Sequence, residues 1–251
     1  MRLCRRLYEW GLPWDDGRMQ VPADPLAPAA APENAAFVCP RLERTPEDWP
    51  AMDAAFAGIP GVPLRQAWLE GAEPRFRPAV AKMARTAEAM LAMVELEDVD
   101  VFNPVSEFNA PAFLRGDVVE IFVLPAGTSR YVELHATPEA ALLQLRWTVG
   151  WRRRSRPGAP LDLRESLITS PVARALTRRT SGGWSAFLAV PFALMEAAPQ
   201  AFEEGWRASV CRYDYTRGEE KPVLSSTSAF ARVDFHQADC WNRLVFTETA
   251  G

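Results

Sequence analysis

From Gly116 to His135 the chain reads GDVVEIFVLPAGTSRYVELH, and its apolar positions recur with the two-residue period of β-strands. Val119, Ile121 and Val123 share one face of the first run, and Val132 and Leu134 share one face of the second. A Pro-Ala-Gly-Thr-Ser connector lies between the runs, so the pattern predicts a β-hairpin. Loop length then decides the register. With a four-residue loop, Ala126 to Ser129, Pro125 faces Arg130 and both apolar rows fall on one side; a five-residue loop puts them on opposite sides. Four residues are therefore expected. The other face carries Glu120, Phe122, Leu124, Tyr131, Glu133 and His135, a mixture of aromatic and polar groups.

The same alternation recurs along the chain. Ala140 to Val149 places Leu143, Leu145 and Trp147 against Gln144, Arg146 and Thr148, which predicts a third strand. Trp184 to Val190, Trp206 to Tyr215 and Trp241 to Thr247 read as further strands. Phe37 to Pro50 reads as a first strand with its loop, and Leu224 to Arg232 as a pairing segment. Short helical turns are expected in Met52 to Ile59 and Pro191 to Met195. Ser170 and Pro171 suit the N-cap and first position of a helix within Leu161 to Arg179. Ala79 to Asp100 carries two signals. Met83, Ala87, Met90, Leu91 and Val94 fall at helical spacing and Ala and Met favour helix, yet Val94 with Leu96 and Val99 with Val101 alternate. Many short strands punctuated by Gly and Pro predict an all-β fold, an antiparallel sandwich or barrel. Ahead of them, VPADPLAPAAAPENAA (21–36) is too poor in large apolar residues to pack. The expected organisation is an N-terminal arm and Pro/Ala linker over 1–36, followed by a single β-sandwich domain over 37–251.

Composition narrows the partners. A net charge of -4 over 251 residues gives no general attraction to nucleic acid or anionic membranes. No run of about eighteen apolar residues predicts a membrane-crossing helix. The basic start lacks the apolar stretch of a signal peptide, so the expectation is a cytoplasmic protein, or a secreted one whose leader is missing. Cys4, Cys39, Cys211 and Cys240 form no C-x-x-C pair and are expected as free thiols. Arg152 to Arg156 is expected as a solvated basic loop. Oligomeric state is left open.

Few familiar chemistries are marked by a motif. There is no G-x-S-x-G, H-E-x-x-H, Walker loop or G-x-G-x-x-G. With His135 and His236 as the only histidines, a multi-histidine metal site is excluded. What stands out is nine Trp. Aromatic rings stack on the C–H faces of sugars while planar polar groups take the hydroxyls, the combination a small-molecule site needs. The candidates are Tyr131, Trp147, Tyr215, Phe230 and Trp241, with Glu120, Glu133 and Arg212 as polar partners. Trp184 and Trp206 begin apolar strands and are assigned to the core.

The order of these pieces resembles the family-9-like carbohydrate-binding modules of the DOMON-like superfamily. GDVVEIFVLPAGTSRYVELHATP resembles their D-x-V-E hairpin, GGWSAFLAVPFALM their strand and turn, WRASVCRYDY their W-R-x-x-x-x-R-x-D strand, and DFHQADCWNRLVF their terminal strand. The resemblance spans roughly Phe37 to Thr247 and makes Asp117, Glu120 and His236 motif positions. It departs at Phe187, where the family often has Glu, at Phe113-Leu-Arg-Gly116, where Trp is usual, and at Ala238, where Pro is usual. The resemblance implies an antiparallel β-sandwich of jelly-roll or immunoglobulin-like type, with Thr86 to Glu97 as a strand despite its helix propensity. It also implies a sugar held between two rings, with Phe113 and Phe230 as substitutes for the second, and structural calcium. The expected function is non-catalytic carbohydrate binding. The alternatives are a glycan-active enzyme using Glu120 or Glu133, and a sensing or interaction scaffold for a non-sugar ligand or a protein partner.

Overall fold

A computed structural model describes residues 34–151, 163–195, 202 and 204–248. Twelve strands and one α-helix follow in order: β1 (Phe37–Pro40), α1 (Trp49–Phe56), β2 (Val62–Pro63), β3 (Ala79–Arg85), β4 (Ala89–Glu97), β5 (Val118–Leu124), β6 (Arg130–Ala136), β7 (Leu142–Thr148), β8 (Arg174–Thr180), β9 (Gly183–Pro191), β10 (Arg207–Asp214), β11 (Val223–Ser226) and β12 (Asn242–Thr247). They form two sheets. The seven-stranded sheet runs β1-β12-β10-β5-β6-β7, with β11 added on β10, and the five-stranded sheet runs β2-β3-β4-β9-β8. All pairings are antiparallel except β1 on β12. This is the all-β sandwich expected. No helix among the described residues is long and apolar enough to cross a membrane.

The predicted hairpin is β5–β6, with Ile121 opposite Leu134 and Val123 opposite Val132. That register corresponds to the four-residue loop. Val119, Ile121, Val123, Val132 and Leu134 point inward, where they meet Met83, Met90, Val94, Trp184, Leu188 and Val210 in the core between the sheets. Trp184 and Trp206, each 1% exposed, belong to this core as expected.

One expected strand holds with a shifted start, and two expectations change. The strand expected over Thr86 to Glu97 is β4, which begins at Ala89 because the Thr86 hydroxyl accepts from the N–H groups of Glu88 and Ala89 to close a turn back to β3. The helical signal arose because β4 is covered on both sides. Its inner residues Met90, Ala92 and Val94 join the core, while Leu91 and Met93 pack under Met52 and Phe56 of α1. A strand buried on both faces reads as a continuous apolar run and loses its alternation. The helix expected after Ser170 is instead strand β8, which pairs with β9 along its length, Arg174 opposite Ala189 to Thr180 opposite Gly183. Pairing of Leu224 to Arg232 stops at Ser226, beyond which the chain turns over the outer face of the large sheet.

The two helical turns lie close to their expected places. α1 starts three residues early, at Trp49, because the Asp48 carboxylate accepts from the Ala51 N–H and Pro50 fits the first turn. Phe192–Met195 forms a 3-10 turn. Cys39, Cys211 and Cys240 are free thiols. Cys4, the basic run Arg152–Arg156 and most of the 1–36 arm lie outside the described residues. Asn34 and Ala35 are tied to the domain: Asn34 donates to the Cys240 carbonyl and accepts from the Ala229 N–H, and Asn242 donates to the Ala35 carbonyl.

Candidate functional site

Alternation sends Glu120, Phe122, Tyr131, Glu133, His135, Leu143, Leu145, Trp147 and Cys211 to the outer face of the seven-stranded sheet. The segment between β11 and β12 folds over them. Its Phe230, Phe235 and Trp241 complete a second apolar cluster with Phe122, Tyr131 and Trp147. The Trp241 ring meets Tyr131 edge-on at 5.0 Å and lies 5.3 Å from Phe122, and its indole N–H donates to the Phe235 carbonyl. Tyr131, Phe230 and Trp241 are each 1% exposed or less. Beneath the loop is a filled aromatic layer.

The polar groups of this face form one network. Glu133 Oε1 lies 2.7 Å from His135 Nε2, and Glu133 Oε2 accepts from the Trp147 indole N–H at 2.5 Å. His236 Nδ1 lies 3.8 Å from that second oxygen and 2.7 Å from the Tyr131 hydroxyl, which also accepts from the Trp151 indole N–H at 2.9 Å. Glu120 Oε1 is 3.3 Å from His135 Nε2. Burial favours a protonated Glu133, but the charges of His236 and His135 and the hydrogen bonds from His135 and Trp147 outweigh it and hold the carboxyl below its ordinary range. Burial likewise disfavours a charged His135, and Glu120 and Glu133 overcome it to raise the imidazole. Both histidines of the chain thus meet at one carboxylate. Counting two histidines excluded a multi-histidine site; the fold nevertheless brings the pair together beside two carboxylates.

Trp151, the residue directly before the basic run Arg152–Arg156, also belongs to this face. Gly150, at φ +74, reverses the chain after β7 so that the Trp151 ring stacks on Trp147 at 4.2 Å and 14°. The pair borders a cleft of about 500 Å³ whose other walls include Arg130, Arg146, Glu165, Ser166 and Ser170. A second Trp four positions after the first, directly preceded by a Gly, was the signal in the sequence that pointed to it.

Arg212 and Tyr215 lie elsewhere. Alternation on β10 turns Arg212 inward, opposite Val119, at one end of the sandwich. There its guanidinium contacts Asp98 at 3.0 Å and Asp214 at 3.2 Å, with Asp117 alongside. Asp117 accepts from the N–H groups of Phe102 and Tyr215, and the Tyr215 hydroxyl donates to the Phe113 carbonyl. Burial, reinforced by Asp98, pushes Asp117 up to about 8 against those two hydrogen bonds; burial also raises Asp214 to about 6. The three carboxylates do not fit calcium. That ion takes six to eight oxygens. Here the Asp117 oxygens receive backbone N–H groups, Asp98 receives the Asp100 N–H, and the cation between Asp98 and Asp214 is Arg212 itself. Phe113, a substitute for a family ring, is half-buried and lies 5.3 Å from His135 and 6.1 Å from Tyr213.

No family model matches the chain, and no curated protein resembles it in sequence. Solved structures share its fold. A proposed carbohydrate-binding protein from Bacteroides uniformis superposes with a TM-score of 0.65 at 16% identity, covering 86% of this chain and all of that one. A family 9 carbohydrate-binding module from Caldicellulosiruptor kristjanssonii, in complex with cellotriose, gives 0.58 at 11% identity over 86% and 94% of the two chains. A family 9 module from the same organism in complex with glucose gives 0.52 at 10% identity over 85% and 94%. The chain has the β-sandwich fold of carbohydrate-binding modules such as those of family 9.

Proposed function

We propose that this protein is a non-catalytic carbohydrate-binding protein whose sugar enters the cleft beside β7 and rests on the Trp147–Trp151 pair. The carrying observation is that stacked pair, half-exposed at Trp151, opening onto a polar cleft of small-ligand size. The fold shared with modules crystallised with cellotriose and glucose supports the same reading. Tyr131 and Glu133 act from below by fixing the two indoles through their N–H groups. Phe230 and Trp241 pack over that face from the segment between β11 and β12, and Arg212 and Tyr215 brace the end of the sandwich. Ring platform and oriented hydrogen-bonding groups then divide the work, the apolar face of the sugar going to the indole and its hydroxyls to Arg130, Arg146 and Glu165.

A glycan-active enzyme needs two carboxylates flanking the scissile bond in an accessible site. Glu120 and Glu133 are 3% and 5% exposed beneath the aromatic layer, which favours binding over hydrolysis. Calorimetric titration with glucose, cellotriose and a panel of mono- and oligosaccharides tests the proposal. Saturable binding that Trp151→Ala abolishes is expected. Absence of binding at millimolar sugar, or binding indifferent to Trp151→Ala, would overturn it; the scaffold alternative for a non-sugar ligand or protein partner then takes precedence.

A further inference from the structure

Strand register lines up three side chains with metal-binding chemistry in one row across the outer face. Cys211 on β10 is the direct partner of Glu120 on β5, which is the direct partner of His135 on β6. Side chains in such a row stand about 5 Å apart. Glu133, two residues before His135, shares its face. One oxygen each from Glu120 and Glu133 and one nitrogen of His135 lie within 4.8 Å of one another, and all three side chains are buried.

The point where these atoms converge calls for a positive particle. His135 Nε2 lies 2.7 Å from Glu133 Oε1 and 3.3 Å from Glu120 Oε1. When the ring is neutral with its proton on Nδ1, all three are electron-pair donors pointing at one place. Either a proton or a metal ion occupies it. Two carboxylates bring two negative charges, which a divalent ion matches and a single proton does not. Without a metal ion a proton on Nε2 fills that point and is donated to Glu133 Oε1, while His135 Nδ1 is buried and makes no hydrogen bond.

We propose that Glu120, Glu133 and His135 form a buried site for one divalent transition-metal ion of the zinc type. Two oxygens and an imidazole suit such an ion, whereas calcium and magnesium favour oxygen alone. Ligands about 2.0–2.1 Å from a tetrahedral ion stand roughly 3.3 Å apart. The Glu120–His135 separation of 3.3 Å has that length already. The Glu133–His135 separation of 2.7 Å has only to open slightly. The Trp147 N–H on the other Glu133 oxygen is the kind of outer hydrogen bond that orients a ligating carboxylate. His236, with 12% of its side chain exposed, is the nearest further imidazole on the solvent side. The proposal does not depend on sugar binding.

The test is titration of the chelator-treated full chain with Co²⁺ and then Zn²⁺. Cobalt is expected to bind at one equivalent with visible absorption stronger than that of the hydrated ion, and zinc to displace it. Glu120→Gln and Glu133→Gln, which keep side-chain shape, should each weaken binding by at least about tenfold while retaining the wild-type circular dichroism. Only two histidines are present, so the side-chain ¹⁵N spectrum holds two imidazoles. Zinc should shift Nε2 of the one that persists in His236→Gln. The proposal fails if the folded wild-type protein takes up no cobalt, if that imidazole does not move, or if both Gln variants bind like wild type. Should the Gln variants not fold, the imidazole spectrum of the wild-type chain decides alone.

Discussion

At the scale of single residues, environment rather than type decides what each group does. Glu133 and Asp117 are both buried carboxyls, yet their affinities for protons move in opposite directions. Glu133 faces two imidazoles and an indole N–H; Asp117 faces Asp98 and Asp214. Asp117 has a folded-state pKa of about 8. The unfolded chain releases the same proton near the ordinary Asp value of about 4. The native state therefore binds the proton more tightly. Its contribution to stability is complete below about pH 4 and is lost as pH rises toward about 8. Urea midpoints measured from pH 5 to 8 should fall, and Asp117→Asn should flatten that slope whatever it does to stability at any one pH. An unchanged slope would show that the neighbouring carboxylates do not hold the proton there. Which residues share a face was legible in the sequence, because period-two alternation is local. That the mixed face would be sealed was not, since Phe230, Phe235 and Trp241 reach it from a segment about a hundred residues downstream of Tyr131.

At the scale of elements, register is the quantity that places the site. The β5–β6 turn and the alternation of β10 together set Cys211, Glu120 and His135 in one row and send Arg212 to the opposite face. The β4–β9 pair shows how tightly such a register is held. A side chain on Gly183 would place its Cβ 2.0 Å from the Leu96 carbonyl oxygen and 2.7 Å from the Asp98 nitrogen, both backbone atoms that cannot swing away. Gly183→Ala should therefore cost about 1–3 kcal/mol, the usual penalty for overpacking, read as a lowered chemical-denaturation midpoint. A variant as stable as wild type would mean that the end of this pair is looser than the pairing indicates. Strands whose two faces differ in chemistry, such as β5, β6 and β7, were read correctly from their alternation. β4, which carried both signals, and β8, expected as a helix, owe their strand form to partners: β4 is covered by core on one side and α1 on the other, and β8 is held along β9.

At the scale of the molecule, two sheets enclose one core, and the chain ahead of β1 is fastened to it through Asn34 and Ala35. We take the sandwich to be an independent domain. A fragment of residues 34–251 should fold with the β-sheet circular dichroism of the full chain and unfold in a single transition. Starting instead at Phe37 removes three hydrogen bonds to residues 34 and 35, each worth about 1 kcal/mol, and should lower the melting temperature. Failure of the 34–251 fragment to fold would refute the assignment of the linker.

The sequence by itself determined the all-β class, the hairpin register, the two core tryptophans and the division of residues between sheet faces. Each of these follows from alternation and turn chemistry over a few neighbouring residues. Tertiary structure alone decided that the outer aromatic face is roofed over, that Arg212 serves the aspartates at the end of the sandwich, and that His135 and His236 meet at Glu133. Those outcomes depend on contacts between segments far apart in the chain, whose geometry no local pattern encodes.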